Sequence, residues 1–494
     1  MALPTPQTPP GYRYDGIYID GEWRPGRSGK SLAFFNPWTE QVVGSLIGAD
    51  RCDVDVAYAA AQTNQPVWAS TLPGDRADVF LRAARLMEAR RAEIQSMLVR
   101  ETGSTIAKAQ LEWWAVHNSL REAATLPSRF EGRILFGDYP TKENRIYRRP
   151  VGVVAVISPW NWPMHLSMRS VAPALALGNS VVLKPSVSTP VTGGLLIARL
   201  FEEAGLPPGV LNVVVGTSAV IGDAMVTHAA PRVISFTGSP TVGRRVGRLA
   251  VEAPQMKHAL LELGGNAPMI VTEDVDIDQA VAIAVAGKFL HAGQMCIAVN
   301  RIIVAAEIHD RFVDAFVAHC RVLPHSDPDD LATAFGPIIN REQLDRLLGL
   351  IAGATRDGAR LRLGGDPTGL ILPPQVFDRV RPDMAIATTE IFGPIATILR
   401  AEDDNHAVSI ANATDFGLSS AVLCRDEGRA MAIAQRIDAG MTHINDSPAI
   451  DMPQMPFGGD KNSGVGRFGS RGVIETFTTE HWISVQQRPA RQAF

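Results

Sequence analysis

At 494 residues the chain is too long for one hydrophobic core, so two or three domains are expected. Apolar residues make up 46% and charged residues 20%, an ordinary globular balance, and a net charge of −4 with both signs interspersed leaves no electrostatic footprint for nucleic acid or an acidic membrane. The four cysteines, Cys52, Cys296, Cys320 and Cys424, lie scattered without a C-x-x-C pair, which argues against a zinc site or a disulfide framework and for a cytoplasmic protein with free thiols.

Residues 1–15 read as a flexible arm, proline-rich and without the basic and apolar regions of a secretory signal. IYIDGEWRPG follows as a hairpin turning at Asp20-Gly21. From Asp75 to Gly103 the apolar positions Val79, Phe80, Ala83, Leu86, Met87, Ile94, Met97 and Leu98 recur at helical spacing, with Asp75 as N-cap and Gly103 as stop. From Val151 the rhythm changes to short β-branched runs: VGVVAVI, SVVLKP, VLNVVVG, RVISFT and APMIVT. A helical segment from Thr189-Pro190 to Gly205 separates the second from the third. Strands alternating with helices predict an α/β fold, and continuous apolar strands predict a parallel sheet covered on both faces. The charge-free run VGVVAVISPWNWPMHLSM is broken by Pro159, Asn161, Pro163 and His165, so it reads as a strand and loop rather than a membrane span. A second α/β domain starts near residue 263, with strands in RIIVAA, ATILR, SSAVLC and MTHIN and helices in DRFVDAFVAHC and RAMAIAQRI. The C-terminal TEHWISVQQRP reads as an exposed strand that needs a partner, expected from another subunit.

Four stretches could carry chemistry. In RVISFTGSPTVG a strand ends, Gly238 turns, and Ser239-Pro240 starts a helix whose N-terminus is a phosphate site or merely a well-made turn. In LLELGGNAP, Glu262 sits among leucines ahead of two glycines, either as a buried ion pair or as a general base. In PWNWP the prolines hold Asn161 in a rigid loop at a strand end, where its amide caps a turn or stabilises an oxyanion. In HAGQMCIAVNR, Cys296 is either a small hydrophobe or a nucleophile.

Together PWNWP, VVLKPS, FTGSPTVG, ELGGNAP, GQMC, EIFGP and PFGGDKNSGVGR occur in the order that they take in the aldehyde dehydrogenase superfamily, and the chain resembles that family across nearly its whole length. The resemblance implies an α/β fold with a Rossmann-like parallel-sheet cofactor domain (1–127 and 151–262), an α/β catalytic domain (263–461) and a small β oligomerisation flap (128–150 and 470–494). It implies a metal-free, NAD(P)-dependent oxidation of a small-molecule aldehyde by a homodimer or homotetramer. Cys296 is then the nucleophile, Asn161 an oxyanion donor, and Glu262 the base that hydrolyses the thioester. Lys184 would reach the adenine ribose, and Gly222, Ser239 and Val242 the adenine and pyrophosphate. Glu390 and Phe392 would contact the nicotinamide ribose with help from Gln343, while the backbones of Ile157, Pro159 and Trp160 line the groove.

The chain departs from the family at Thr389, where an acidic residue is common, at Ser218, where glycine is frequent, and at Val187. NAD-preferring members commonly carry glutamate at this last position, so use of NADP as well as NAD is expected. Pocket positions fall on Trp162, Leu166 and Arg169, with Met295 and Ile297 beside the nucleophile and Phe457 opposite. Arg169 either faces a polar ring substituent or forms an ion pair away from the pocket. MHLSMRSVAPALALGN and INDSPAIDMPQMPFGG are most similar to bacterial aromatic aldehyde dehydrogenases of the vanillin and benzaldehyde type. Two rival readings are a non-catalytic ligand-binding or structural member of the fold and a thioesterase-like cysteine hydrolase using His291.

Overall fold

The computed structural model describes residues 14, 16–139 and 141–488; the arm expected over residues 1–15 lies, except for Tyr14, outside the described residues. The hairpin pairs Ile17–Ile19 with Glu22–Arg24. Asp20 and Gly21 take φ of 54° and 81°, the positive values a two-residue type I′ turn requires. The periodicity between Asp75 and Gly103 is carried by two helices rather than one, Pro73–Ala89 and Arg91–Thr102. Pro73 opens the first, so Asp75 lies inside its first turn instead of capping it. Arg90, buried at the junction, leaves helical geometry and bonds Glu93 and, from another helix, Glu203. Tertiary pairing overrides the continuous pattern there. Gly103 ends the second helix at φ 66°.

The β-branched runs build a sheet ordered Glu22–Arg24, Ile17–Ile19, Leu211–Val213, Ser180–Lys184, Val153–Ile157, Pro231–Thr237, His258–Glu262 and Gly464–Val465. The five strands from Leu211–Val213 to His258–Glu262 are parallel, with antiparallel partners at both ends. Chain order reverses between Val153–Ile157 and Pro231–Thr237, and the crevice outside their C-terminal ends is where open α/β sheets bind ligands. A second sheet is ordered Arg360–Leu363, Gln375–Asp378, Ile395–Ala401, Val299–Ala305, Ala267–Val271, Ser419–Leu423 and Met441–Ile444, parallel but for its first strand. Each sheet has its own hydrophobic core.

The third sheet joins Arg133–Phe136, Lys142–Pro150 and Thr478–Gln486. The C-terminal strand thus finds its partner on one edge within the same chain, along Thr478↔Pro150 to Gln486↔Lys142. It remains the outermost strand of that sheet among the described residues. The boundaries differ from the expected flap in one respect. Helix Ser470–Phe477 packs on helix Pro163–Ala176, and Val473, Ile474 and Phe477 belong to the first core, because this segment is apolar on the face it turns inward. Among the described residues no helix is long and apolar enough to cross a membrane.

Candidate active site

The nucleophile loop follows helix Ile277–Phe289 and is bent by three successive left-handed residues, His291, Ala292 and Gly293, at φ 52°, 54° and 70°. Such geometry costs about 1–3 kcal/mol for each non-glycine residue and persists only where neighbours enforce it. Gln294 enforces it. Its buried amide donates to the carbonyls of His291 and Pro337, each at 3.2 Å, and accepts from the Ile339 amide at 3.0 Å. The glycines of ELGGNAP let this loop come close: a Cβ at Gly265 would lie 2.0 Å from the Cys296 carbonyl oxygen, and one at Gly264 2.5 Å from Glu390 Oε2.

Glu262 ends its strand fully buried, and the Cys296 thiol donates to its Oε1 at 3.2 Å. Burial pushes the thiol well above its ordinary range, the Glu262 carboxylate pushes the same way, and the Arg169 charge opposes them. The resting sulfur therefore carries its proton, already directed at a carboxylate. Asn161, in the loop after Val153–Ile157, donates one amide hydrogen to the Gln294 carbonyl at 3.1 Å, which leaves the second for another acceptor.

Arg169 and Phe457 are not where a pocket wall would put them. Arg169 does form an ion pair, but with Glu262 itself rather than away from the site, and its Nη1 donates to Asp451 Oδ2 at 3.2 Å. Burial works against the guanidinium charge, and Glu262 and Asp451 outweigh it, so the group is held above its ordinary range. Phe457 lies against this guanidinium at 4.5 Å and Phe468 at 4.3 Å. Neither ring lines the cavity over Cys296. Asp451, which also accepts from His165 Nε2 at 2.8 Å, lies within INDSPAIDMPQMPFGG but had no role assigned to it in the sequence, and the fold brings it here.

Two cavities meet at the sulfur. The first, about 230 Å³, is walled by Trp162, Leu166, Met295 and Ile297, together with Leu111, Trp114, Ala115, Leu290, Ala449 and Ile450, and has His165 and Asp451 as polar members. The second, about 620 Å³, runs along the switch point past Pro159, Trp160, Thr237, Gly238, Ser239, Pro240 and Thr241 to Gln343, Glu390 and Phe392. Asn161, Leu166 and Cys296 border both. Helix Ile106–Thr125, which supplies Leu111 and Trp114, escaped the sequence reading because those two side chains are half-exposed and break its apolar stripe.

Within the second cleft Glu390 Oε1 accepts from the Gly265 amide at 3.0 Å, and burial raises this carboxyl to about 7. Trp160 and Phe392 meet edge to face at 5.5 Å. Arg346, one helical turn after Gln343, was missed; it donates to Gln343 Oε1 at 3.1 Å and to the Glu390 carbonyl at 3.3 Å. Its i+3 spacing from Gln343 was the available signal. Ile157, Lys184, Gly222 and Val242 do not border this cleft as it stands. Ile157 and Lys184 pair as the last residues of adjacent strands, Gly222 closes the turn Ser218–Gly222 beyond the next strand, and Val242 lies in the first turn of helix Pro240–Glu252. An ion pair links Arg245 of that helix to Asp223, the residue after Gly222.

Lys184 is buried with its amine 3.5 Å from the Pro185 carbonyl, forms no ion pair among the described residues, and is lowered by burial to about 8. A buried cation without a counter-ion, a helix start capped by Ser239, and a buried carboxyl at the far end suit an anionic dinucleotide laid along the sheet edge. Among the described residues no cluster of histidine, cysteine and carboxylate groups could hold a metal. His291 borders neither cavity and burial depresses its basicity strongly, so a hydrolase built on His291 finds no support.

Fold and site together define a class of α/β oxidoreductase, one that holds its substrate on a cysteine and its dinucleotide at a sheet switch point. The chain belongs to the aldehyde dehydrogenase family, whose model matches residues 23–483. It is 49% identical over 469 residues to a vanillin dehydrogenase of Corynebacterium glutamicum, covering 95% of this chain and 97% of that protein. A crystal structure of an NAD-dependent benzaldehyde dehydrogenase from Corynebacterium glutamicum is 46% identical and superposes with a TM-score of 0.90, covering 98% of this chain and 99% of the other. A crystal structure of an NADP-dependent enzyme of E. coli is 32% identical with a TM-score of 0.93, covering 96% and 98%. The activity is the NAD(P)-dependent oxidation of an aldehyde to its carboxylic acid, and the reading as a non-catalytic member falls.

Proposed function

We propose that the substrate is an aromatic aldehyde. The observation that carries this is the apolar cavity over Cys296, with Trp114 and Trp162 among its walls. Burying a ring is worth about 1.5–3 kcal/mol, and aromatic contacts add about 0.5–1.5 kcal/mol. The aromatic substrates in the names of the two Corynebacterium glutamicum relatives support the same reading. Benzaldehyde should exceed acetaldehyde in kcat/KM by about a hundredfold, given about 1.4 kcal/mol per factor of ten; equal values would refute the assignment.

Cys296 attacks the aldehyde carbon as its proton passes to Glu262 Oε1, so that sulfur bonds to carbon and the carbonyl oxygen becomes the charged one. The free hydrogen of the Asn161 amide and the Cys296 backbone N–H hold that oxygen, and one such donor is worth about 10²–10³ in rate. A nicotinamide held in the second cleft would supply the hydride acceptor, and loss of hydride from the adduct carbon leaves a thioester on Cys296. Glu262, once it has released its proton, deprotonates a water that attacks the thioester; the carbon–sulfur bond breaks and the acid departs. Glu390, Phe392 and Gln343 would hold the nicotinamide ribose, Ser239 the pyrophosphate region, Lys184 the adenine ribose, with Gly222 and Val242 near adenine and Ile157, Pro159 and Trp160 as groove backbone.

NAD is the expected acceptor and NADP a workable one, because Val187 brings no carboxylate against a 2′-phosphate and Lys184 has no competing anion. Exposed Ile134, Phe136 and Trp482 on the third sheet support subunit contact there, in a homodimer or homotetramer. Free cysteines throughout fit a cytoplasmic enzyme.

A further inference from the structure

One line of contacts runs from the wall of the substrate cavity to the nucleophile. His165 Nε2 donates to Asp451 Oδ2 at 2.8 Å, and Arg169 Nη1 donates to the same oxygen at 3.2 Å. Arg169 Nη2 pairs with Glu262 Oε2, and Glu262 Oε1 accepts from Cys296 at 3.2 Å. Arg169 is 7% exposed and Glu262 1%. The guanidinium has no room to swing, since Phe457 and Phe468 lie against it at 4.5 and 4.3 Å. Helix Pro163–Ala176 sets the geometry: His165 and Arg169 are four residues apart on one face, so a single Asp451 oxygen receives both.

A buried carboxylate without a cation keeps its proton to higher pH, and a proton-bearing Glu262 cannot deprotonate water. The charged and titratable groups around Glu262 are Arg169 from helix Pro163–Ala176, Cys296 from its own loop, Glu390 across Gly264 and Gly265, and Asp451 with His165 behind Arg169. Cys296 donates its thiol hydrogen to one Glu262 oxygen, Glu390 lies across the two glycines, and Arg169 is the cation in contact. We propose that Arg169 is a positioning residue for the reaction, keeping Glu262 ionised and aimed at Cys296 while Asp451 and His165 anchor it from the substrate side. This rests on the reading of Glu262 as the base of thioester hydrolysis.

The test follows acyl-enzyme on the full-length protein by mass spectrometry after rapid quench, with benzaldehyde and NAD, from pH 6 to 10. Arg169→Met should still form the thioester but hydrolyse it about a hundredfold more slowly at neutral pH, the lower end of what a general base contributes. Its deacylation profile should move about one unit or more toward alkaline pH, the size of shift a removed counter-charge produces. Arg169→Lys should restore much of the rate, and Arg169→Met with Glu262→Gln should be no slower than Glu262→Gln alone. A structural role would leave the pH profile in place. If Arg169→Met fails to accumulate as folded enzyme, Arg169→Gln, which removes the charge but keeps hydrogen-bond donors, carries the same test in the same direction. An unshifted profile in the variant that folds, or a double variant slower by the product of both single effects, overturns the proposal. Glu262→Gln that turns over without stalling would instead defeat the assignment of the base, whereas a stalled Glu262→Gln beside an unshifted Arg169→Met defeats Arg169 alone.

Discussion

Raising the pH from 6 to 8 should tighten the binding of NAD through Glu390. Burial raises this carboxyl to about 7, so it is protonated below that pH and ionised above it, passing from about one tenth to about nine tenths charged across the interval. One oxygen is already used by the Gly265 amide at 3.0 Å, and the other is left to accept from ribose hydroxyls. A hydrogen bond to a charged acceptor contributes about 1.5–3 kcal/mol and a neutral one about 0.5–1.5 kcal/mol. The difference of about 1–1.5 kcal/mol corresponds to a five- to tenfold lower Kd at pH 8, at about 1.4 kcal/mol per factor of ten. Tryptophan fluorescence titrated with NAD and no aldehyde reads this directly, because Trp160 borders the cleft and Cys296 chemistry does not enter. Glu390→Gln should bind NAD with a flat profile over the same range. Lys184 loses its charge above about 8 and would act in the opposite direction, which sets the upper limit of the titration. A wild-type Kd independent of pH, or a Glu390→Gln enzyme that keeps the full dependence, would refute the reasoning.

Cys296→Ala should lose aldehyde oxidation by at least the 10²–10³ expected of a missing catalytic group while still binding NAD, and Cys52→Ala, Cys320→Ala and Cys424→Ala should each stay active; steady-state rates beside NAD titration separate these outcomes. Val187→Glu should shift the ratio of kcat/KM for NAD over NADP toward NAD by about tenfold or more, through about 1.5–3 kcal/mol of charge-assisted bonding to the ribose. In the unaltered enzyme the two cofactors should fall within roughly tenfold of each other, and a thousandfold preference for NAD would defeat the argument from Val187.

The parallel sheets were legible because their strands are continuous β-branched runs, and the hairpin because Asp20-Gly21 is a turn with a mechanism. What sequence period could not show was set by pairing at a distance. The apolar pattern through Leu86 and Ile94 gave no sign of the break at Arg90, whose side chain pairs with Glu203, 113 positions away. Helix Ser470–Phe477 looked like the start of the flap, and only its docking on Pro163–Ala176 gives it to the first core. At the site, Cys296, Glu262 and Asn161 stood out because each sits among glycines, prolines or apolar residues that its chemistry must explain. Asp451 and Arg346 did not, since charged residues in polar loops and on helices ordinarily need no explanation. Phe457 was placed opposite the nucleophile by motif, and its ring lies against the Arg169 guanidinium at 4.5 Å, a contact no local pattern announces.

That contact bears on how one carboxylate serves two steps. Glu262 must first accept the thiol proton, and the high proton affinity of the buried Cys296 makes this transfer unfavourable until attack on the carbonyl moves the charge to oxygen beside Asn161. The sulfur thus stays protonated while the cavity is empty, and a protonated thiol resists oxidation better than a thiolate. Glu262 must then give that proton up before it can act on water, and an uncompensated buried carboxylate would hold it. A guanidinium on the opposite oxygen favours the ionised form. The two steps ask opposite things of one carboxylate, first to take a proton and then to release it. The geometry meets them by letting the oxyanion drive the first transfer and Arg169 the second, so that each proton movement has its own nearby charge.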